Sequence, residues 1–231
     1  MHMLDRIAIV IPTFNEVEAI GRVIREVRAQ GLIHILVSDG GSTDGTQAVA
    51  QRAGATVIDA GRGYGRACAA GAAAAHAECD LIAFMDGDGA DQPDQLVRLA
   101  RPLWDDTHDF TIASRTRGRR EPGSMQWHQV LAGAAAGRLI GALYGVRYTD
   151  MCALRIIRRT ALQALGMTEM TYGWNIEMQM KAARSGLRIL ELPVPYRRRA
   201  GGQSKVAGSL RGTMRASGKI ISTFARIATS G

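Results

Sequence analysis

Three carboxylates around one glycine are the first residues here whose types and spacing could do chemistry. In FMDGDGADQP, residues 84–93, Asp86 and Asp88 flank Gly87, and Asp91 follows shortly after. Carboxylate oxygens suit a hard cation such as Mg²⁺ or Mn²⁺. If the backbone turns at Gly87, Asp86 and Asp88 can both face outward. Two carboxylates leave most of a cation's coordination open, which suits a site completed by a diphosphate, the metal then acting as a Lewis acid on a departing phosphate. A solvated Asp-Gly turn is the competing reading of the same stretch. Phosphate-seeking cations stand elsewhere: four arginines fall within RTRGRR (115–120), and Arg197, Arg198, Arg199 and Lys205 punctuate RRRAGGQSK (197–205). Arginine and lysine neutralise diphosphates through charge-assisted hydrogen bonds.

The elements that must position these groups are legible as an alternation. Short β-branched apolar runs at 6–12, 34–39, 55–60, 80–86 and 109–115 read as strands. Between them, helical spacing at 17–31, 43–54, 63–79 and 93–104 reads as helices, the last opened by Pro93. Strand–helix alternation with short connections implies an α/β chain, a Rossmann-like and mostly parallel sheet with helices on both faces. Ligands of such sheets sit outside the carboxyl ends of the strands. The expected ends are Pro12–Glu16, Ser38–Gly41, Gly61–Gly63, Asp86–Asp88 and Ser114–Arg115, all polar or glycine-rich and all on one edge. The second half is less regular: a helix over 124–145, a mixed region at 147–165, a helix over 175–186 and a strand over 187–198. The apolar stretch Val130–Gly145 is too short for the about 20 residues of a membrane span and carries Arg138, so it reads as a buried or half-buried helix. One domain over 1–205 with a basic C-terminal helical appendage over 206–231 is expected.

The net charge of +8 belongs to that appendage and its approach: residues 197–231 hold eight Lys or Arg and no acid. In the tail, Leu210, Met214, Ile221 and Phe224 fall near one helical face, beside a stripe of Arg211, Arg215 and Lys219. Such a helix can lie on an anionic membrane, here at the cytoplasmic face, or dock on its own domain or in a homo-oligomer. Cys68, Cys79 and Cys152 show neither metal-ligand spacing nor even pairing, which suits buried thiols in a reducing cytoplasm. With three Trp, four Phe and five Tyr and no stacking motif beside the basic run, no nucleic-acid partner is expected. A nucleotidyltransferase would want a glycine-rich basic loop after the first strand, and PTFNEVEAI is not one.

Four stretches in order, IPTFNE (11–16), VSDGGSTDGT (37–46), DLIAFMDGDGADQP (80–93) and YRRRAGGQSK (196–205), carry a resemblance. Over residues 6–205 the chain resembles family 2 glycosyltransferases of the GT-A fold, in the branch of dolichyl-phosphate mannose synthase-like and polyprenyl-phosphate enzymes. The resemblance implies an inverting, metal-dependent transfer from a UDP- or GDP-sugar to a polyprenyl phosphate, or alternatively to a soluble carbohydrate or small-molecule hydroxyl. It implies that Pro12, Thr13, Asn15, Glu16, Asp39, Arg62, Asp86, Gly87, Arg199, Ser204 and Lys205 bind the nucleotide sugar, and that Asp86 and Asp88 hold Mg²⁺ or Mn²⁺. Asp88, Arg115 and Glu177 are the catalytic groups so implied, Glu177 as general base for a hydroxyl acceptor, while Arg117, Asp150, Trp174 and Asn175 face the acceptor. The chain departs from the pattern twice. Gly40 replaces a second aspartate after Asp39, and Ala90 stands where many relatives carry a Gln resembling a third metal ligand, leaving Asp91, Gln92 or water as substitutes.

Overall fold

The computed structural model describes residues 3–201 and 210–229. Seven strands form one sheet: β1 (Ile7–Thr13), β2 (His34–Asp39), β3 (Thr56–Asp59), β4 (Leu81–Phe84), β5 (Phe110–Ser114), β6 (Arg155–Arg158) and β7 (Ile189–Pro193). Their order is β3-β2-β1-β4-β6-β5-β7, and β6 alone runs antiparallel to its neighbours. β1 is buried along its whole length, the burial expected of a central parallel strand covered on both faces.

The helices are α1 (Val17–Ala29), α2 (Thr46–Arg52), α3 (Tyr64–Ala74), α4 (Gln95–Trp104), α5 (Trp127–Tyr144), α6 (Arg159–Ala164), α7 (Trp174–Arg184) and α8 (Leu210–Thr229). α1 buries Ile20, Val23, Ile24 and Val27, the i, i+3, i+4, i+7 spacing of an amphipathic helix. Side chains alternate across a strand. Gly71 of α3 abuts Val10 and Ser38, whereas Ile20 of α1 lies near Gly87 together with Ile11, so α1 and α3 cover opposite faces. A side chain at residue 71 would collide with both Val10 and Ser38, which is why the small-residue helix α3 packs so close to β1 and β2.

The structure departs from the sequence reading in particular places. α4 begins at Gln95, with Pro93 in the preceding turn, and α3 ends at Ala74 because Ala75 is extended. The mixed region resolves into β6, which inserts between β4 and β5. Its reversed direction brings the segment before it, Asp150–Cys152, to the edge where the parallel strands end. After a last backbone bond from Val194 N to Ser114 O of β5 (3.1 Å), the chain leaves the sheet, and Tyr196 forms an isolated bridge with Arg120 outside it. Cys68, Cys79 and Cys152 are free and buried.

The C-terminal helix packs on α7. Thr223 and Ile227 are buried, Ile220 and Phe224 pack against the core, and Ile221 points outward. The inward face is therefore 220, 223, 224 and 227, which corrects the expected face by moving Ile221 to solvent; the side chains of Leu210, Arg211, Met214 and Arg215 lie outside the described residues. Lys219 and Arg226 meet Glu169, at 3.2 and 3.9 Å, and Thr223 Oγ1 donates to the same carboxylate. No helix among the described residues is long and apolar enough to cross a membrane.

Candidate active site

The carboxyl edge of the sheet opens into a cleft of about 1430 Å³. Its floor comes from the strand ends anticipated from the sequence: Pro12 and Thr13 at the end of β1 and Glu16 beyond it, Gly40 after β2, Arg62 and Gly63 after β3, Asp86–Asp88 after β4, and Arg115 after β5. Its walls are the first turns of α5, Thr171, Tyr172, Asn175 and Ile176 around the start of α7, Tyr196, Arg198 and Arg199, and one stretch of α8 between Ser217 and Ser222.

Asp86 and Asp88 leave β4 on either side of Gly87, where a Cβ would lie 2.9 Å from Thr13 Cγ2. Only glycine lets the acidic turn sit this close to β1. Asp86 accepts a long hydrogen bond from Tyr64 Oη (3.4 Å). Asp91 is turned away from the cleft, its Oδ2 accepting from the Asp86 backbone N–H at 3.1 Å. Burial, then the charges of Asp88 and Asp91, push the Asp86 carboxyl up to about 8, with Arg115 and Arg199 offsetting part of this. Burial and Asp88 push Asp91 up to about 6.

Three crowded carboxyl groups are short of positive charge, and a divalent cation would supply it. The donor set fits such an ion as two carboxylates, Asp86 and Asp88. Among the described residues no group of three or more His, Cys, Asp or Glu is arranged to hold a metal. Asp91 thus does not substitute for a third ligand; it shapes the turn, and Ala90 is buried.

Arg199 spans the acidic edge. Its guanidinium meets Glu16 Oε1 at 2.9 Å and Asp88 Oδ2 at 3.6 Å. Its Nε is buried and has no hydrogen-bond partner among the described residues. The segment carrying it is stapled to the acidic turn: Ala200 N donates to the Asp88 carbonyl (2.9 Å), Arg197 N to Ala90 (3.2 Å), and Arg197 Nε to Gly89 (2.9 Å). Ser204 and Lys205, expected beside Arg199, lie outside the described residues.

Arg115 is gripped by Asp150. Its Nε and Nη2 donate to the two carboxylate oxygens at 2.8 and 2.7 Å, and its backbone N–H donates to Oδ2 at 2.9 Å. Burial alone would raise the Asp150 carboxyl, but Arg115 outweighs it and holds it low. Both residues line the cleft, with the Arg115 guanidinium 5.0 Å from the Tyr196 ring centroid. Asp150 therefore aims an arginine. Arg62 also faces the cleft, its guanidinium 3.7 Å from the centroid of the Phe14 ring, a flat shelf suited to a stacked base.

Several expected site residues stand elsewhere. Asp39 is buried behind Gly40 and does not line the cleft. Its carboxylate accepts from Thr13 Oγ1, Gly41 N, Ser42 N, Ser42 Oγ and Gln47 Nε2 at 2.5–3.0 Å. Burial works against the charge, yet the bonds from Gln47, Ser42 and Thr13 prevail and keep the carboxyl below its ordinary value. Asp39 builds the loop that a nucleotide would meet. Asn15, in the left-handed region at φ 53°, clasps the same loop: its Oδ1 accepts from Thr43 N at 2.9 Å, and its N–H donates to Ser42 Oγ at 2.8 Å.

Glu177 is fully buried and absent from the cleft wall. It accepts from Thr168 N, Thr168 Oγ1 (2.7 Å) and Glu169 N (2.7 Å), and pairs with Lys181 at 3.0 Å. This corrects its assignment as a base: it anchors the loop over 168–169. Trp174 is core, 2% exposed and edge-on to Phe84, and only its neighbour Asn175 reaches the cleft. Arg117 is on the surface beside Glu191 (3.7 Å), off the cleft.

Sequence reasoning missed Tyr64, Tyr196 and the wall given by α5 and α8, and took Arg198 only as one cation of a basic run. Tyr64, between two glycines after β3, carried a local signal; the α5 and α8 residues carried none, because packing alone brings them to the edge.

The family described as Glycosyl transferase family 2 matches residues 8–166. An uncharacterized glycosyltransferase of Mycobacterium tuberculosis is 35% identical over 217 residues, covering 91% of this chain and 94% of the relative. The undecaprenyl-phosphate mannosyltransferase of Micrococcus luteus is 31% identical over 231 residues, covering 90% of each. Among solved structures, glucosyl-3-phosphoglycerate synthase from M. tuberculosis, in complex with Mn²⁺, uridine diphosphate and phosphoglyceric acid, superposes with a TM-score of 0.76 at 24% identity, over 97% of this chain and 79% of the other. The chain thus belongs to glycosyl transferase family 2, and with its seven-stranded, mostly parallel sheet it has the GT-A fold.

Proposed function

We propose that the protein transfers a sugar, with inversion, from a nucleoside diphosphate sugar to a polyprenyl phosphate. The observation that carries the donor half is Arg199, bridging Glu16 and Asp88 with a buried Nε that has no partner among the described residues. A diphosphate laid between Arg199 and the Asp86–Asp88 turn would satisfy that N–H. The Mn²⁺ and uridine diphosphate of the solved neighbour support the same choice of metal and of a uridine donor. Asp86 and Asp88 would hold Mg²⁺ or Mn²⁺, which when bound supplies Lewis-acid stabilisation to the leaving diphosphate.

The acceptor follows from the carboxylates. Four acids line the cleft: Glu16 pairs with Arg199, Asp150 with Arg115, and Asp86 and Asp88 form the metal turn. None of these four is left to take a proton from a hydroxyl. An acceptor phosphate is already anionic and needs no base. Its oxygen attacks the anomeric carbon, forming the new C–O bond while the bond to the nucleoside diphosphate breaks. Arg115, aimed by Asp150, offers its charge to the entering phosphate, and Arg199 offers its own to the departing one. The Micrococcus luteus relative, an undecaprenyl-phosphate mannosyltransferase by name, supports the lipid acceptor. This reading includes a cytoplasmic location at the membrane face.

Purified protein with Mn²⁺ is to be incubated with radiolabelled UDP-glucose, UDP-galactose or GDP-mannose and detergent-dispersed undecaprenyl phosphate. An organic-extractable, acid-labile sugar lipid from one donor is the expected result. Label transferred only to water-soluble hydroxyl acceptors would overturn the acceptor assignment, and failure of every nucleoside diphosphate to bind would overturn the donor.

A further inference from the structure

After its first turn α5 carries a single polar side chain, Arg138, yet only one side of the helix is buried. Gly133, Ala136, Gly137 and Ile140 face the protein. The opposite arc carries Trp127, Leu131, Ala135, Leu139, Ala142 and Leu143, with Trp127 73% and Leu131 58% exposed. Helices of soluble proteins place polar residues on such an arc, and a contiguous exposed apolar face marks an interaction site.

We infer that this face of α5 seats the enzyme on an anionic lipid bilayer, with the cleft mouth against the headgroups. Three observations select that occupant. First, the face is continuous with the cleft, because exposed Ala132 belongs to both the outward arc and the cleft wall. Across the mouth, α8 presents exposed Ile221 between cleft-lining Ile220 and Ser222. Both lips are therefore apolar at the tip.

Second, the charge is one-sided. Arg138 lies on the exposed arc and Arg147 just beyond the helix, and neither makes an ion pair among the described residues. There is no Asp or Glu from Trp127 to Thr149. Lipid phosphates complement such cations. A second copy of this chain would not: an isologous contact sets the same patch against itself, and the patch holds no carboxylate for Arg138.

Third, the dimensions suit a helix lying in the interface. Eighteen residues make about 27 Å of helix, and the outward arc is apolar while the inner arc stays on the protein. Trp127 at one end has the amphipathic ring favoured at headgroup depth. Of the tail face expected to meet a membrane, Phe224 packs against the core and only Ile221 is exposed among the described side chains, so α5 offers the larger described apolar face.

The inference deepens the proposed lipid acceptor and rests on it for its purpose, but its test is independent of catalysis. Full-length protein, without donor or acceptor, is sedimented with vesicles of equal parts phosphatidylcholine and phosphatidylglycerol, and the same is done for Leu131→Glu/Leu139→Glu. The wild type should bind, bind at least tenfold more weakly to pure phosphatidylcholine, and lose binding at least tenfold in the double variant. The variant should keep its melting temperature, because both side chains are exposed, and should keep transfer to detergent-dispersed undecaprenyl phosphate. Undiminished vesicle binding by the variant would overturn the inference. So would a wild-type protein that ignores vesicles but sediments as a dimer that the variant splits; the face would then join two copies. Vesicle binding with no lipid-linked product leaves the surface standing and rejects the acceptor.

Discussion

Replacing Asp86 with Asn should stabilise the metal-free protein while abolishing its function. The Asp86 carboxyl is pushed from an ordinary 3.8 to about 8 by burial and by Asp88 and Asp91. A carboxyl whose folded-state value is raised is harmless below its unfolded value and destabilising above it. The penalty starts as pH rises through 3.8, grows by about 1.4 kcal/mol per pH unit, and levels off above about 8. At pH 7 it amounts to roughly 4 kcal/mol. Asparagine has the same shape and no charge, and its amide can donate to the neighbouring carboxylates. For a chain of 231 residues, 4 kcal/mol corresponds to a rise in Tm of about 10 °C. Calorimetric unfolding in EDTA should show the gain roughly three times larger at pH 8 than at pH 5. With Mn²⁺ and a nucleoside diphosphate, the wild type should rise in Tm and the variant should not. A variant no more stable than the parent at pH 8, or a gain independent of pH, would refute the reasoning that like charge is stored at this turn.

Arg199→Ala removes charge-assisted hydrogen bonds worth about 1.5–3 kcal/mol, so calorimetry with Mn²⁺ should show nucleoside diphosphate binding weakened about 10- to 100-fold. Glu177→Gln breaks a buried ion pair with Lys181 and should lower stability by on the order of 3 kcal/mol, a fall in Tm of roughly 10 °C, with kcat per folded molecule changed less than about twofold. A collapse of kcat at unchanged Tm would instead make Glu177 a catalytic group. Asp109 is held down at about 2 by hydrogen bonds from Arg188, so its stabilisation is present above 3.8 and is lost as pH falls through about 2. In Asp109→Asn, Tm should be lower at pH 7, and the two Tm curves should converge at the acid end.

Much of the site was visible in the sequence because strand ends in a parallel sheet share an edge. Pro12, Glu16, Arg62, Asp86, Asp88 and Arg115 all line one cleft, drawn from segments far apart in the chain. Each was marked locally by a polar or glycine-rich break after an apolar run. β6 was not marked in this way: four residues bounded by arginines carry too little periodicity, and its antiparallel pairing with β4 and β5 is a long-range choice.

The alternation of periods determined the α/β sheet, and the acidic turn at Gly87 and the basic run around Arg199 determined that phosphate chemistry was available. Those features are local, set by which side chains lie two or four positions apart. Only the tertiary structure decided which polar side chains face the cleft. Asp39 and Glu177 have the composition of site residues, yet each is enclosed by donors, Asp39 by its own loop with Thr13 and Gln47 and Glu177 by the loop at 168–169, where leaving a buried carboxylate unpaired would cost more than any local pattern records. Both arcs of α5 are largely apolar, so hydrophobic periodicity could not say which side packs on the protein; the close approach of Tyr148 to Gly137 and of residues 149–151 to Gly133 selects the small-residue arc and leaves Trp127 and Leu131 to the outside.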